Sequence, residues 1–197
     1  LLSLSAWLKS AYNMLRASVR PGVEMICVCE TGNKDWVLGD SHRMQQVLTN
    51  VITNAIKYTS TGSIVLSMKW RDDILRFECT DTGPGIPKKD QSSIFQRFVQ
   101  RGGAPGSGLG LAIAKHLVDL AGGRTGFESD PTVTPGTTCF VELPLKNCIQ
   151  PEIDRKAEPE AMIDEQITFL IIDDVRMNRT MFRRRINNGI STKPVIT

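Results

Sequence analysis

Residues 40–58 form a long amphipathic segment whose apolar residues all fall along one side of a helix. Gly62 follows closely and favours a helix end before it. A helix with one apolar side has to bury that side against another layer, while its polar side stays accessible. The chain must therefore supply a layer that covers this apolar stripe, which consists of Met44, Val47, Leu48, Val51, Ile52, Ala55 and Ile56.

Segments of alternating polarity predict that the covering layer is a sheet. The strand expected first, at 23–30, places Met25, Cys27 and Cys29 on one face. Strands joined by only a few residues have to be antiparallel, whereas strands separated by a helix can be parallel. The other expected strands are 64–70, 74–80, 125–129 and 138–143, with a turn at 134–136 between the last two.

Further helices are predicted at 5–18 and from a glycine-rich loop to about residue 121. Strand pairs joined by short turns, together with helices between other strands, indicate an α/β fold. We expect a two-layer sandwich of a mixed sheet and helices, with the helices on one face.

The length of 197 residues corresponds to about 1.3 domains of ordinary size. We assign residues 1–148 to the α/β domain, the charged and proline-containing residues 149–166 to a linker, and 167–197 to the start of a second domain. The chain does not begin with Met and shows no signal-peptide pattern, so we expect a piece of a larger protein.

The composition excludes several classes of protein. No apolar run approaches the roughly 18 residues that a membrane span needs, so we expect no membrane contact by this segment. A formal net charge of +3 is too small to indicate a nucleic-acid partner. The five cysteines form no CxxC pair, which argues against a zinc site and a disulfide framework and favours a reducing, cytoplasmic compartment.

The polar side of the long helix carries residues suited to ligand binding. Asn50, Asn54, Lys57 and Tyr58 lie at i, i+4, i+7 and i+8, away from the apolar stripe. These residues alone would equally fit a solvated helix face. Two glycine-rich loops downstream favour binding, because their backbone N–H groups can approach phosphates.

The first loop, Thr80-Asp81-Thr82-Gly83-Pro84-Gly85-Ile86-Pro87, begins with an acid at the end of a strand. Such an acid can accept a hydrogen bond from the amino group of a base, although a plain turn explains the pattern as well. The second loop, residues 102–111, ends in GSGLGL and leads into a helix whose N-terminus favours an anion. Between the loops, Phe95 and Phe98 are spaced as on one helical face.

Taken in order, these motifs resemble the catalytic, ATP-binding domain of sensor histidine kinases. The long helix QQVLTNVITNAIKYT is similar to the asparagine box of that family, and DTGPGIP, IFQRF and GSGLGLAIAKH resemble its first glycine box, its phenylalanine box and its second glycine box. The resemblance extends over about residues 5–145. It implies the α/β sandwich shared with gyrase-type and mismatch-repair ATPases.

The resemblance also implies roles for individual residues. Asn54 would coordinate Mg²⁺, with Asn50 beside it and Lys57 adding positive charge near the phosphates. Asp81 would accept from the adenine amino group, and Tyr58 would lie along the nucleotide. The other residues expected to contact ATP or to shape its pocket are Gly83, Gly85, Ile86, Phe98, Gly106, Ser107, Gly108, Leu109, Gly110, Leu111, and Thr137 or Thr138; Phe95 would anchor the lid together with Phe98.

Asn50 distinguishes the two mechanisms found among such domains. In gyrase-type ATPases the residue four positions before the magnesium asparagine is a glutamate that activates water, and an amide cannot replace it as a base. The resemblance therefore implies transfer of the γ-phosphoryl group to a histidine on a helical dimerisation domain. A gyrase-type ATPase and a non-catalytic, nucleotide-responsive regulatory module are the alternatives.

The acceptor histidine is expected outside this chain. The only two histidines, His42 and His116, lack the neighbouring acid of the family's acceptor site. Both are interpreted as ordinary helix residues.

The end of the chain carries a second resemblance. FLIIDDV at 169–175 is similar to the first strand of a response-regulator receiver domain, in which paired acids bind Mg²⁺. In a complete receiver these acids would be Asp173 and Asp174, and a short strand with acidic capping residues is the alternative. The phosphoaccepting aspartate would lie on a later strand, beyond Thr197.

Overall fold

The computed structural model of the protein describes residues 1–99 and 107–148. The linker predicted at 149–166 and the receiver fragment predicted at 167–197 lie outside these residues. The helices are α1 Leu4–Leu15, α2 Ser41–Tyr58, α3 Lys88–Gln91 and α4 Gly110–Leu120, and a single 3₁₀ turn at Arg16–Ser18 follows α1. The strands are β1 Leu2–Ser3, β2 Val23–Glu30, β3 Trp36–Val37, β4 Gly62–Arg71, β5 Ile74–Asp81, β6 Arg124–Asp130, β7 Thr134–Leu143 and β8 Asn147–Cys148.

Five strands form a mixed sheet in the order β2-β4-β5-β7-β6. Strands β2 and β4 are parallel, and the other neighbours are antiparallel. The parallel pair needs a long crossover, and the connection between β2 and β4 contains α2. The predicted mixed sheet is confirmed, and α2 is the helix of its single parallel crossover among the described residues.

The apolar stripe of α2 is the centre of the core. Six of its residues are buried, and Ile56 is partly buried against them. They pack with α1 and α4 and with the inward-facing residues of the sheet, such as Leu66 and Phe77. The three long helices thus cover one face of the sheet, as predicted. No helix in the described ranges is long and apolar enough to cross a membrane.

Helix α2 begins and ends close to the predicted residues. The Asp40 carboxylate accepts from the backbone N–H groups of His42 and Arg43 at 3.0 and 3.1 Å. These bonds satisfy two of the N–H groups that have no partner at a helix start. The cap therefore fixes where the polar side of α2 begins.

Strands β1, β3 and β8 form a small antiparallel sheet that the sequence did not predict. Asp35 joins it to α1, because its carboxylate accepts from Ser3 Oγ at 2.7 Å, from Ser5 N at 2.8 Å and from Thr31 Oγ1 at 2.8 Å. Burial raises the pKa of Asp35, but these hydrogen bonds outweigh it and leave the pKa below its ordinary value.

The sheet face away from the helices carries a charged cluster around Arg76. The guanidinium donates to Glu78 at 2.7 Å and to Glu142 at 2.6 Å. It also lies 4.3 Å from the ring centroid of Phe140. The side chain of Arg76 is only 7% exposed, so this ion pair is shielded from water although it lies on the outer face.

Two local predictions are wrong. Residues 134–136 belong to β7, and the turn lies at 131–133, where the Asp130 carboxylate accepts from the backbone N–H of Thr132 at 3.1 Å. Residues 94–98 are not helical, because Phe98 has a positive φ of 66° that a helix does not allow.

Candidate functional site

A pocket opens beside α2, between the end of β5, the first glycine loop, β7 and α4. It has a volume of about 790 Å³, which includes the solvent at its open mouth. Most of its wall is apolar, with a few polar groups. The described residues that line it are Val51, Asn54, Ala55, Tyr58, Cys79, Asp81, Pro84, Gly85, Ile86, Ile94, Val99, Leu111, Thr137 and Cys139.

Seven of the lining residues were expected to contact a nucleotide. They come from four separate parts of the chain, namely α2, the first glycine loop, β7 and α4. The fold thus brings together residues far apart in sequence: Asn54, Tyr58, Asp81, Gly85, Ile86, Leu111 and Thr137.

Asp81 is the carboxylate in the pocket wall. Its Oδ1 accepts from the backbone N–H of Gly83 at 2.9 Å, which closes the turn after β5. Burial raises the pKa of Asp81 above its ordinary value, although hydrogen bonds from Gly83 and Thr137 lower it in part. A carboxylate has about four acceptor positions, so Asp81 can accept a further hydrogen bond from a ligand in addition to those from Gly83 and Thr137.

Only glycine fits the close approach of the first loop at Gly85. Its φ is +74°, and a Cβ atom there would lie 3.1 Å from Gly136 O, Pro131 Cβ and Ser129 Oγ. The loop therefore packs directly on the β6–β7 hairpin.

Asn50 lies one turn of α2 away from the lining residue Asn54, next to the start of α4. A Cβ atom on Gly110 would be 3.4 Å from Asn50 Oδ1, and Asn50 Nδ2 is buried with no hydrogen-bond partner among the described residues. A buried donor without a partner costs free energy unless a ligand satisfies it. Asn50 therefore adds a free donor close to the pocket, without lining it.

Within residues 1–99 and 107–148, no side chain caps the N-terminus of α4. Helices leave their first N–H groups without partners, and the dipole makes this end favourable for anions. Leu109 occupies the N-cap position, and its backbone N–H donates a long hydrogen bond of 3.4 Å to Ser107 Oγ. The start of α4 thus offers donors next to Asn50.

The pocket accordingly has two chemically different ends. Tyr58 O lies close to Gly83 and Asp81 at one end, whereas Asn50 and Gly110 lie next to the other end without lining it. Eight residues of α2 separate Tyr58 from Asn50, which corresponds to about 12 Å along the helix. An acceptor for a base at one end and donors for an anion at the other suit an elongated nucleotide.

Several expected site residues lie elsewhere. Phe98 is 74% exposed and does not line the pocket; its neighbour Val99 does. Lys57 Nζ lies 5.0 Å from the ring centroid of Tyr58 and contacts the pocket only through that ring. Successive side chains of a strand point to opposite faces, so Thr138 points away from the pocket that Thr137 lines. On the outer face of the sheet, the hydroxyls of Thr138 and Thr80 form a hydrogen bond of 3.0 Å.

Ser107, Gly108 and Leu109 lead into α4 without lining the pocket, and Gly106, Asp173 and Asp174 lie outside the described residues. Gly108 has a φ of +69°, and a Cβ atom there would lie 2.8 Å from the carbonyl carbon of Phe98. The Phe98 N–H also donates to Gly108 O at 3.0 Å. Phe95 packs on Phe127 with ring centroids 6.1 Å apart. These contacts join the two sides of the second glycine loop.

Sequence patterns did not single out Cys79, Cys139 or Val99 as parts of the site. Cys79 and Cys139 are directly paired across β5 and β7. Burial raises the pKa of Cys139 to about 12, so its thiol stays neutral in this apolar wall. Strand alternation could have indicated the two cysteines. Cys79 lies two residues before Asp81 and Cys139 two residues after Thr137, so each shares a strand face with a predicted site residue.

The pocket contains few groups for a metal ion. Mg²⁺ prefers oxygen ligands. Within the two described ranges, no group of three or more acidic, histidine or cysteine side chains could hold a metal. The Asn54 amide oxygen fits as a single protein ligand, so phosphates of a nucleotide would have to supply much of the coordination.

Comparisons with known proteins agree with this geometry. Residues 39–147 match the family described as histidine kinase-, DNA gyrase B-, and HSP90-like ATPase. The virulence sensor protein BvgS of Bordetella bronchiseptica is 36% identical over 84% of this chain, which spans only 14% of BvgS. The chain spans less than a quarter of the length of the curated relatives it matches.

Solved structures are similar over the same region. The mycobacterial sensor histidine kinase MprB is 30% identical, with a TM-score of 0.64, over 75% of this chain and 97% of that one. Full-length ShkA in complex with AMPPNP is 28% identical, with a TM-score of 0.68, over 76% of this chain and 32% of that one. The chain therefore belongs to the histidine kinase-, DNA gyrase B- and HSP90-like ATPases, and within them it carries the catalytic domain of a sensor histidine kinase.

Proposed function

We propose that this domain binds ATP with Mg²⁺ and transfers the γ-phosphoryl group to a histidine on a helical dimerisation domain, as a step of two-component signalling. The two-ended pocket along α2 is the observation that carries the proposal. We place the domain in the cytoplasm, where ATP is available.

At the base end, Asp81 accepts from the adenine amino group. Gly83 and Gly85 keep the backbone close to the base, and Ile86 packs against it. Thr137 supports Asp81 on the β7 side, while Tyr58 lies along the sugar and base. The place of the Asp81 carboxylate in the pocket wall supports this assignment.

At the phosphate end, Asn54 is the proposed protein ligand of Mg²⁺, which when bound neutralises phosphate charge. The unpartnered Nδ2 of Asn50 donates to the phosphates, and Lys57 adds positive charge. Gly106, Ser107, Gly108, Leu109 and Gly110 shape the lid before α4, and Leu111 closes the pocket beneath it. Phe95 holds the near side of the lid through Phe127, whereas the exposure of Phe98 argues against direct contact with nucleotide.

These residues position and neutralise ATP without activating water. Asn50 has no basic atom to take a proton, so hydrolysis in the absence of an acceptor is expected to be slow. Phosphoryl transfer depends mainly on positioning and charge neutralisation, which this site can provide for an incoming histidine.

The test is transfer of label from [γ-³²P]ATP to a supplied helical histidine domain, using the full chain. We expect label on the histidine domain and little free phosphate when that domain is omitted. Asn54→Ala is expected to lose transfer, and Lys115→Met, which removes an exposed ion pair of α4, is the matched control. Rapid phosphate release without the partner would instead support an ATPase.

We further propose that residues 167–197 begin a receiver domain, in which Asp173 and Asp174 would hold Mg²⁺ beside the phosphoaccepting aspartate. The strand-like sequence FLIIDDV supports this proposal. A longer form of the protein that contains the later strands should then accept phosphate on aspartate. Alkali and hydroxylamine should remove this label, whereas label on histidine is stable to alkali.

A further inference from the structure

Ser129 fastens the first glycine loop to the β6–β7 hairpin. The Ile86 N–H donates to Ser129 Oγ at 2.9 Å, and Ser129 Oγ donates to Gly136 O at 2.8 Å. The Thr137 hydroxyl donates a longer hydrogen bond of 3.3 Å to Ser129 Oγ. A hydroxyl has one donor and two acceptor positions, so Ser129 uses all of them within the protein.

Gln91, the last residue of α3, holds the other side of Ile86. Its Nε2 donates to Ile86 O at 2.9 Å and to Ser129 O at 2.8 Å. Both partners are carbonyl oxygens that only accept, which requires the NH₂ group of the amide at this place. The N–H and the C=O of Ile86 are therefore both held, by residues from two different elements.

The groups that this arrangement holds form the base end of the pocket. Gly85, Ile86 and Thr137 line the pocket, whereas Ser129 and Gln91 do not. Any effect of Ser129 or Gln91 on a ligand must therefore act through their lining neighbours, namely the backbone of Gly85 and Ile86 and, for Ser129, the Thr137 hydroxyl. A binding wall that is held in place before the ligand arrives raises affinity, because less of the protein has to be ordered on binding.

We infer that Ser129 and Gln91 are positioning residues for adenine recognition, which fix the wall formed by Gly85 and Ile86 in its binding-competent conformation. The inference rests on the proposed binding of ATP. It assigns a role in affinity to two residues that touch neither the nucleotide nor Mg²⁺.

The experiment measures Kd for ATP and ADP by calorimetry, and the thermal midpoint without nucleotide, in the full chain. Ser129→Ala removes the hydroxyl, and Gln91→Glu is isosteric but turns a carboxylate towards two carbonyl oxygens. Thr125→Val is the control, because it removes a 2.7 Å bond to Phe140 O from the same hairpin.

We expect Ser129→Ala and Gln91→Glu each to raise Kd about tenfold, by the same factor for ATP and ADP, because only the base end is loosened. One net hydrogen bond corresponds to roughly this factor. Thr125→Val should lower the thermal midpoint comparably but change Kd less than twofold.

Wild-type affinity in both variants, or an equal loss in Thr125→Val, would overturn the inference and leave ATP binding intact. If Ser129→Ala does not fold, Gln91→Glu decides the matter alone. A wild-type chain that binds no ATP would overturn the proposed function and this inference together.

Discussion

Asp81→Asn is expected to weaken binding of the adenine base while leaving the fold intact. In the wild type, the Gly83 N–H donates to Asp81 Oδ1 at 2.9 Å. The amide oxygen of Asn can still accept this hydrogen bond, so the turn after β5 is kept. The other oxygen becomes an NH₂ donor. The amino group of adenine, itself a donor, would then meet a donor in place of an acceptor.

The size of the effect follows from the chemistry of that contact. A hydrogen bond to a charged acceptor contributes about 1.5–3 kcal/mol, and an unsatisfied donor in its place adds a further cost. We expect a loss of about 3 kcal/mol in Asp81→Asn, which is roughly a 150-fold higher Kd for ATP.

Stability without nucleotide should change in the opposite direction. Burial raises the pKa of Asp81 above its ordinary value of 3.8, so ionising this carboxyl costs the folded state more than the unfolded state. The wild type therefore loses stability as the pH rises from about 4 through the raised pKa, and Asp81→Asn lacks this loss. At pH 7 the variant should be at least as stable as the wild type.

The assay is calorimetric titration with AMPPNP at pH 7, together with thermal unfolding at pH 4 and pH 7. Unchanged affinity in Asp81→Asn would refute the adenine assignment. A variant that is less stable than the wild type at pH 7, but not at pH 4, would refute the argument from burial.

Two further predictions concern the fold around the site. Gly85→Ala should lower the free energy of unfolding by about 1–2 kcal/mol, because position 85 combines a positive φ with three contacts at 3.1 Å for an added Cβ atom. The control in urea unfolding is Gly32→Ala, where φ is +55° but the surrounding space is open, so its free energy of unfolding should fall by less. An equal fall in both variants would contradict the packing argument. Arg76→Met should cost about 2–3 kcal/mol at pH 7, since it removes the most shielded partner of Glu78 and Glu142 and leaves them only Lys69 and the exposed Arg124. ATP affinity should be unchanged, because the cluster lies on the outer face of the sheet. Burial raises the pKa values of Glu78 and Glu142, but their interactions with Arg76 outweigh burial and leave both pKa values lowered. The cluster therefore stabilises the fold above about pH 4.5, and this stabilisation is lost as the pH falls. Unfolding of Arg76→Met should show a smaller loss of stability at pH 3 than at pH 7, and an equal loss at both would contradict this reasoning.

The large elements were predictable because they carry strong periodic signals. Strand β2 has the predicted bounds, and α2 differs by one residue, since Asp40 caps the helix instead of joining it. Long apolar stripes and alternating strands report directly which face is buried. The two-residue strands of the small sheet are too short to show any periodicity, so no sequence pattern indicates them.

The remaining differences come from contacts between distant residues. Thr134-Pro135-Gly136 has the composition of a turn, yet Gly136 lies against the backbone of Asp81, where a Cβ atom would be only 2.2 Å from the carbonyl oxygen. Pairing with β5 therefore overrides local preference. The roles of Ser129 and Gln91 were equally hidden, because their partners are backbone groups up to 43 positions away.

The small sheet also brings the two ends of the domain close together. Strands β1 and β8 are both neighbours of β3, so residues 2–3 and 147–148 lie about 10 Å apart. Because both strands pair antiparallel with β3, β1 and β8 run in the same direction, and Leu2 and Cys148 lie at opposite ends of the small sheet. Joining these two ends by a short linker and opening the chain at an exposed turn, such as 71–73, should yield a circular permutant that still folds.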